Sequence, residues 1–322
     1  MEGPDRPWND SRRPRSRRRG SPGEVEGRWR EGGREACGLD RGGSPPHILR
    51  VPELPEVEIA GRNLRRWCEG ERVERARVHD ARILADGRPR AFTTRLKGRR
   101  VGPFTRLGKH LLVDLDDGQR LWLHLGMSGK LLWRAPGEAL APHTRVELRF
   151  AHGTLCFRDP RLFGGAFVGA PEEVAAQAHL ERLGPDFMAL RDAEALREAL
   201  EGRRPRPLKV ALMDQARVAG LGNIQVAEGL FRAGLHPSTP THDLDAAGWR
   251  ALFDGLHATL AHTLAATEAD EVAYVSDGAH VESPFLVYGR EDEPCPRCAT
   301  PLVRTKHAGR STFLCPTCQP EP

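Results

Sequence analysis

Between residues 52 and 70 the apolar positions Val57, Ala60, Leu64, Trp67 and Cys68 recur at steps of three and four, so they line one face of a helix. Pro55 fits the first turn of that helix, and Glu56 and Glu58 suit the positive end of its dipole. After Arg72 the period changes. As far as about Val168, short apolar runs alternate with turn residues, as in His110-Leu111-Leu112-Val113-Asp114-Leu115, then Asp116-Asp117-Gly118, then Leu121-Trp122-Leu123. This predicts an antiparallel β domain built as a sandwich. Past Pro171 the chain becomes rich in Ala and Glu, and helices are expected near 172–181, 192–201, 208–217, 223–233 and 245–266. Close to the C-terminus, Leu302-Val303-Arg304-Thr305 and Thr312-Phe313-Leu314 read as the two strands of a hairpin.

The first 50 residues follow neither period. Arg, Gly, Pro, Ser and Glu dominate them, including the run Arg12-Arg13-Pro14-Arg15-Ser16-Arg17-Arg18-Arg19, and disorder is expected there. The fold class expected is therefore α+β and multidomain. An Arg/Gly/Pro-rich extension covers 1–51, a helix plus antiparallel β-sandwich covers 52–185, a helical domain covers 190–290, and a cysteine-bearing hairpin covers 291–318.

Charge changes this picture less than its total suggests. The chain carries a net +5 with a pI near 9.0, but residues 1–50 hold 12 Arg against 8 acidic groups, which leaves 37 basic and 36 acidic groups in the rest. Any polyanion must then be met by basic groups gathered on one face, not by overall charge. No apolar run reaches the length of a membrane span, and the Arg-rich N-terminus lacks the apolar core of a secretory signal, so a cytoplasmic protein without a membrane partner is expected.

Four of the seven cysteines form Cys295-x2-Cys298-x16-Cys315-x2-Cys318. Two close pairs on tight turns can supply four thiolates to one tetrahedral Zn2+, with no ligand position left for catalysis, so the ion is expected to be structural. Cys37, Cys68 and Cys156 are then unpaired thiols. Lys306 and Arg310 lie between the two knuckles, where a hairpin could present them to phosphates.

The string Pro52-Glu53-Leu54-Pro55-Glu56-Val57-Glu58 would, on its own, be an acidic helix start. It also resembles the mature N-terminus of the formamidopyrimidine-DNA glycosylase family, and further segments share that resemblance from Pro52 to about Cys318. The resemblance implies that the Pro52 secondary amine attacks the sugar C1′ of a damaged nucleotide. The base is expelled, and the resulting iminium decays by successive eliminations. Glu53 matches the acid–base carboxylate and Glu56 a supporting one. Arg106-Leu107-Gly108-Lys109-His110 resembles the segment whose lysine contacts phosphate beside the lesion, which gives Lys109 that role. His124-Leu125-Gly126-Met127-Ser128-Gly129 and Asp159-Pro160-Arg161-Leu162-Phe163-Gly164 resemble the loops that fill the gap left by a flipped base, so Met127, Arg161 and Phe163 are candidates for that wedge. Gly220-Leu221-Gly222-Asn223-Ile224 resembles the turn of a helix-two-turn-helix element in which Asn223 binds phosphate. Lys209 upstream of it and Arg310 in the zinc finger complete the DNA-binding set. The expected partner is double-stranded DNA with a damaged base, bound by a monomer at the bacterial nucleoid.

Two departures matter. As written, the Pro52 nitrogen is an amide, without the nucleophilic lone pair the chemistry needs. The expectation is that residues 1–51 reflect a mis-assigned start, with Val51 marking a GTG codon, against the alternatives of a cleaved leader or a basic DNA-binding arm. The second departure is the stretch Ala279-His280-Val281-Glu282-Ser283-Pro284-Phe285-Leu286, short for a loop that caps flipped 8-oxoguanine, and Gln225 replaces an aromatic residue common after the Gly-Asn-Ile turn. The reading expected is a glycosylase and abasic-site lyase for oxidised purines such as 8-oxoguanine and formamidopyrimidines. The alternatives are an endonuclease VIII-like enzyme for oxidised pyrimidines and a non-catalytic zinc-finger protein that binds damaged DNA.

Overall fold

The computed structural model of the chain describes residues 52–202, 204–267 and 284–322. The extension at 1–51 and most of the short stretch 279–286 lie outside the described residues. The first helix, α1 (Leu54–Cys68), follows the periodicity: Val57, Ala60, Leu64, Trp67 and Cys68 are all buried in the core of the β domain. Leu54, one turn earlier, is buried instead among the helices of the second half. One helix therefore belongs to two cores, and its N-terminus sits where they meet.

The β domain holds two four-stranded antiparallel sheets. One has β1 (Arg75–Val78), β6 (Thr144–Phe150), β7 (Gly153–Arg158) and β5 (Lys130–Arg134) side by side; the other has β2 (Val101–Leu107), β3 (His110–Leu115), β4 (Arg120–His124) and β8 (Gly165–Gly169). A short helix, α2 (Pro89–Leu96), packs Phe92 and Leu96 into the same core. Alternation decides which face each strand buries: Leu111, Val113 and Leu115 of β3 meet Val146, Leu148 and Phe157 of the opposite sheet. Leu112 points the other way, against Trp122, Phe167 and Val174 of α3 (Pro171–Gln177). This second layer explains why β3 is apolar on both sides.

In the second half, α4 (Ala193–Leu200), α5 (Leu208–Met213), α6 (Asn223–Ala233) and α7 (Ala246–Thr267) bury Leu196, Leu208, Leu212, Leu230, Leu252 and Leu256 together. The helix expected over 208–217 stops at Met213. The Asp214 carboxylate accepts the Ala216 amide at 3.1 Å, and the Gln215 side chain bonds both the Leu221 carbonyl and the Gly220 amide. Such side-chain bonds to nearby backbone compete with a further helical turn. The hairpin β9 (Val303–His307) and β10 (Arg310–Leu314) lies against the end of α6, where Phe231 packs on Val287, Leu302 and Phe313. Arg297 donates to the last carbonyls of that helix, Phe231 O at 2.8 Å and Arg232 O at 2.9 Å, which locks the finger to it. No described helix is long and apolar enough to cross a membrane.

A buried ion cluster joins the halves. Arg106, at the end of β2, gives both terminal nitrogens to Asp186 at 2.5 and 2.8 Å and its Nε to Glu58 of α1 at 2.9 Å. Asp186 also accepts the Gly108 amide at 2.7 Å. Burial opposes the guanidinium charge, but the two carboxylates outweigh it and raise the Arg106 pKa. Removing one member strands the other charges in a poor solvent, so Asp186→Ala is expected to cost about 3 kcal/mol. Denaturant unfolding checks this, and a variant within about 1 kcal/mol of the parent would show that the cluster holds nothing.

Candidate active site and nucleic-acid interface

Glu53 is only 4% exposed although its side chain ends in a carboxyl group. Its two oxygens accept the amides of Ile224 and Gln225, each at 3.0 Å, so the carboxylate caps the N-terminus of α6 from 171 residues away. A helix start offers unpaired amides and a positive field, and a buried carboxylate there is solvated by the protein itself. Gly222 makes the approach possible, because a Cβ at that position would lie 2.1 Å from the Glu53 Cδ. The first amides of α6 are thus taken up by the Glu53 carboxylate. Pro52 is buried immediately before it, and Glu56 Oε2 accepts the Glu53 amide at 3.0 Å.

Cations surround this carboxylate. Lys109 follows the tight Gly108 turn between β2 and β3, half-buried. Burial lowers its pKa, Glu53 and Glu56 push it back up, and Arg310 adds to the lowering. Lys209 on α5 is 1% exposed, and burial brings its pKa down to about 8 against the pull of Glu53. Arg310 is exposed at the start of β10, within electrostatic reach of both lysines. Five sequence candidates, Glu53, Glu56, Lys109, Lys209 and Arg310, thus share one electrostatic neighbourhood although they come from four separate stretches of chain.

Asn223 opens α6 beside them. Its Nδ2 donates to the Ser311 carbonyl at 2.9 Å and faces the Tyr288 hydroxyl at 3.3 Å, so it ties the helix to the finger hairpin. Its Oδ1 is buried without a partner.

The wedge candidates occupy a different position. Met127 is 42% and Phe163 50% exposed, among the few large apolar side chains of the described residues left in solvent, and the Arg161 guanidinium lies 4.7 Å from the Phe163 ring centre. Core packing therefore does not explain them. The fully buried Asp159 holds their loops: it accepts the Ser128 hydroxyl, the Arg161 amide at 3.2 Å and the Gly164 amide at 2.7 Å. Gly126, at φ +60, lets the first loop press against the second, since a Cβ there would sit 2.3 Å from the Phe163 carbonyl oxygen. Asp159 stood inside the motif quoted for Arg161, but only the fold shows that it organises both loops.

Sequence reasoning also missed His110 and His124, paired across β3 and β4. Trp122 Nε1 donates to His110 Nδ1 at 2.9 Å and the Gly126 amide to His124 Nδ1 at 3.2 Å, so each ring carries its proton on Nε2. Burial first, then His124 and Lys109 for His110 and Lys109 for His124, hold their pKa values near 3 and 4.

At the tip, the sulfur atoms of Cys295, Cys298, Cys315 and Cys318 all lie within 4.8 Å of one another. Neighbouring pairs stand 3.4 to 3.9 Å apart. A tetrahedron of thiolates around an ion with bonds of about 2.3 Å has edges of about 3.8 Å, so the donors fit one four-coordinate metal. The Arg297 and Cys318 amides point at sulfurs at 3.4 Å, as expected for stabilised thiolates.

The histidines generate a pH prediction. Their ordinary pKa of 6.5 falls to about 3 and 4 in the folded chain, so below pH 6.5 the unfolded chain takes up protons that the folded one refuses. Stability should fall as pH drops from 6.5 toward 4, and His124→Gln should shallow that fall in denaturant midpoints taken across the range. Equal slopes for parent and variant would refute it.

Three comparisons bear on this geometry. The formamidopyrimidine-DNA glycosylase N-terminal domain matches residues 51–166, the corresponding H2TH domain residues 183–273, and a zinc finger found in FPG and IleRS residues 292–320. The formamidopyrimidine-DNA glycosylase of Gloeobacter violaceus is 41% identical over 282 residues, covering 84% of this chain and 98% of that protein. Among solved structures, the Lactococcus lactis Fpg bound to abasic-site DNA superposes with a TM-score of 0.74 at 28% identity, over 84% of this chain and all of that one. The same protein with DNA containing N7-benzyl-Fapy-dG gives 0.73 at 29% identity, with the same coverage. With sequence, domain order and three-dimensional architecture in agreement over nearly all the described residues, the chain belongs to the formamidopyrimidine-DNA glycosylase family.

Proposed function

We propose that the protein is a base-excision repair glycosylase and abasic-site lyase that removes oxidised purines from double-stranded DNA, working as a monomer. The observation that carries this reading is Glu53, fixed on the α6 amides next to Pro52 and ringed by Lys109, Lys209 and Arg310. A single acid–base group has been placed beside a potential amine, within a field suited to phosphates. The likeness to glycosylases solved on damaged DNA supports the same assignment.

In this mechanism the form of the chain that begins at Pro52 supplies a free secondary amine. Its lone pair forms a bond to C1′, and the glycosidic bond breaks with its electrons leaving on the base. Glu53 takes the proton that the Pro52 nitrogen sheds once bonded to C1′ and returns it to the ring oxygen as the sugar opens, which gives an iminium between Pro52 and C1′. Loss of a C2′ proton then expels the 3′ phosphate, and a further elimination expels the 5′ phosphate. Lys109, Lys209 and Arg310 hold the backbone, while Asn223 sets the hairpin bearing Arg310 against α6. Met127, Arg161 and Phe163 enter the space the flipped nucleotide leaves. Zn2+ on the four cysteines would hold the knuckles closed and take no part in the chemistry.

Borohydride, which reduces an iminium to a stable amine, tests the nucleophile. A protein beginning at Pro52 should crosslink to duplex DNA containing 8-oxoguanine, while one beginning at Met1 should not. Glu53→Gln in the Pro52 form should lower base excision by at least about a hundredfold while binding persists. Absence of crosslinking to both 8-oxoguanine and abasic DNA would leave binding without catalysis. Removal of the metal by a chelator should open the hairpin, uncover Phe231 and Phe313, and weaken DNA affinity, as Cys298→Ser should also do. Unchanged affinity of the metal-free protein would refute the structural role.

A further inference from the structure

Beside the catalytic carboxylate lies a pocket of about 200 Å³ lined by Arg206, Lys209, Asp214, His307 and Arg310. The Lys209 ammonium is buried in its wall with no hydrogen-bond partner. Burying an ammonium without an acceptor is costly, and its neighbour Arg310 adds repulsion, so negative charge nearby stabilises the arrangement. Glu53 provides part of that charge, but its oxygens are committed to the α6 amides. The one acid lining the pocket, Asp214, is taken by Arg206 at 3.0 Å and approached by Arg217 at 3.8 Å. His307 turns Nδ1 toward Ser238 Oγ at 3.5 Å, which leaves Nε2 for a ligand.

We infer that this pocket is a binding site for one phosphate oxyanion, in which His307 and Arg206 act together with the buried Lys209 and with Arg310. The inference rests on the proposed function and deepens it: His307 and Arg206 extend the phosphate track beyond the residues that the family motifs single out. Oxyanion recognition suits this lining, which holds an ammonium, two guanidiniums and a histidine ring nitrogen, while the Asp214 carboxylate is already paired. The phosphate could be an internal diester of bound DNA or the terminal monoester of a cleaved strand.

The test uses the zinc-loaded full chain, His307→Gln, and a double variant of Arg206→Gln with His307→Gln. Affinity is measured for duplexes that carry a tetrahydrofuran abasic analogue, each with one phosphate near the lesion replaced by neutral methylphosphonate. At one linkage the parent should lose about tenfold in affinity and the variants less than about twofold, because the contact is already gone. A profile shared by parent and variants, or a loss spread evenly over all linkages, overturns the inference for internal phosphates. A nicked duplex with and without a terminal phosphate examines the other source: a preference of about tenfold for the phosphorylated end, abolished in the variants, assigns the pocket to the monoester. Should the parent bind none of these duplexes, the proposed function fails, and inorganic phosphate alone decides about the pocket. A higher unfolding temperature in millimolar phosphate than in matched chloride, lost in His307→Gln, keeps the oxyanion site, and no difference removes it. If the double variant does not fold, His307→Gln alone carries each comparison.

Discussion

The contact between the Glu53 carboxylate and the first amides of α6 constrains the rest of the molecule. A buried charge at the start of one helix is solvated by the start of another, and neither could remain dry alone. Keeping the two termini face to face requires the β domain and the helical half to meet at a fixed angle. The Arg106, Asp186 and Glu58 cluster secures that angle with charge, and Leu54 secures it by burial in the second core. Gly222 supplies the missing volume that lets the approach happen. The chemistry proposed at residue 52 is thereby referred to both lobes at once, as a substrate held between them would need.

Helix α6 serves as the common axis of the helical half. Its N-terminus receives Glu53, and its C-terminal carbonyls receive Arg297 of the finger. In between, the buried Glu228 accepts the amides of Leu286, Val287 and Tyr288, which anchors the chain as it enters the cysteine region. Tyr288 then packs against Phe313 and meets Asn223. The metal site therefore acts at a distance. By closing the knuckles it fixes β10, and through β10 it sets where Arg310 stands relative to Lys109 and Lys209.

The wedge candidates follow the opposite physical logic. Met127 and Phe163 remain in water at a hydrophobic cost, held out by a rigid frame of buried polar contacts around Asp159. Exposed apolar groups on stiff loops can enter a gap in a base stack without first paying the entropy of ordering.

Much of this protein was legible along the chain. Local period determined α1 and the β strands, because an apolar face repeats every three to four residues in a helix and every two in a strand. The four cysteines declared a metal site by spacing alone, since two tight turns suffice to bring each pair together. The Pro-Glu string and the loop motifs pointed to the family and to the residues that cluster around Glu53. Only the tertiary structure decided what each of those groups touches: that the α6 amides hold Glu53, that Asp159 braces two loops, that burial holds the His110 and His124 pKa values low, and that Arg206 and His307 share a pocket with Lys209. These are contacts between residues tens to hundreds of positions apart, and their energy comes from removing charge and polar groups from water together. No local repeat encodes which groups will be desolvated by the same fold, so that information exists only once the chain has closed on itself.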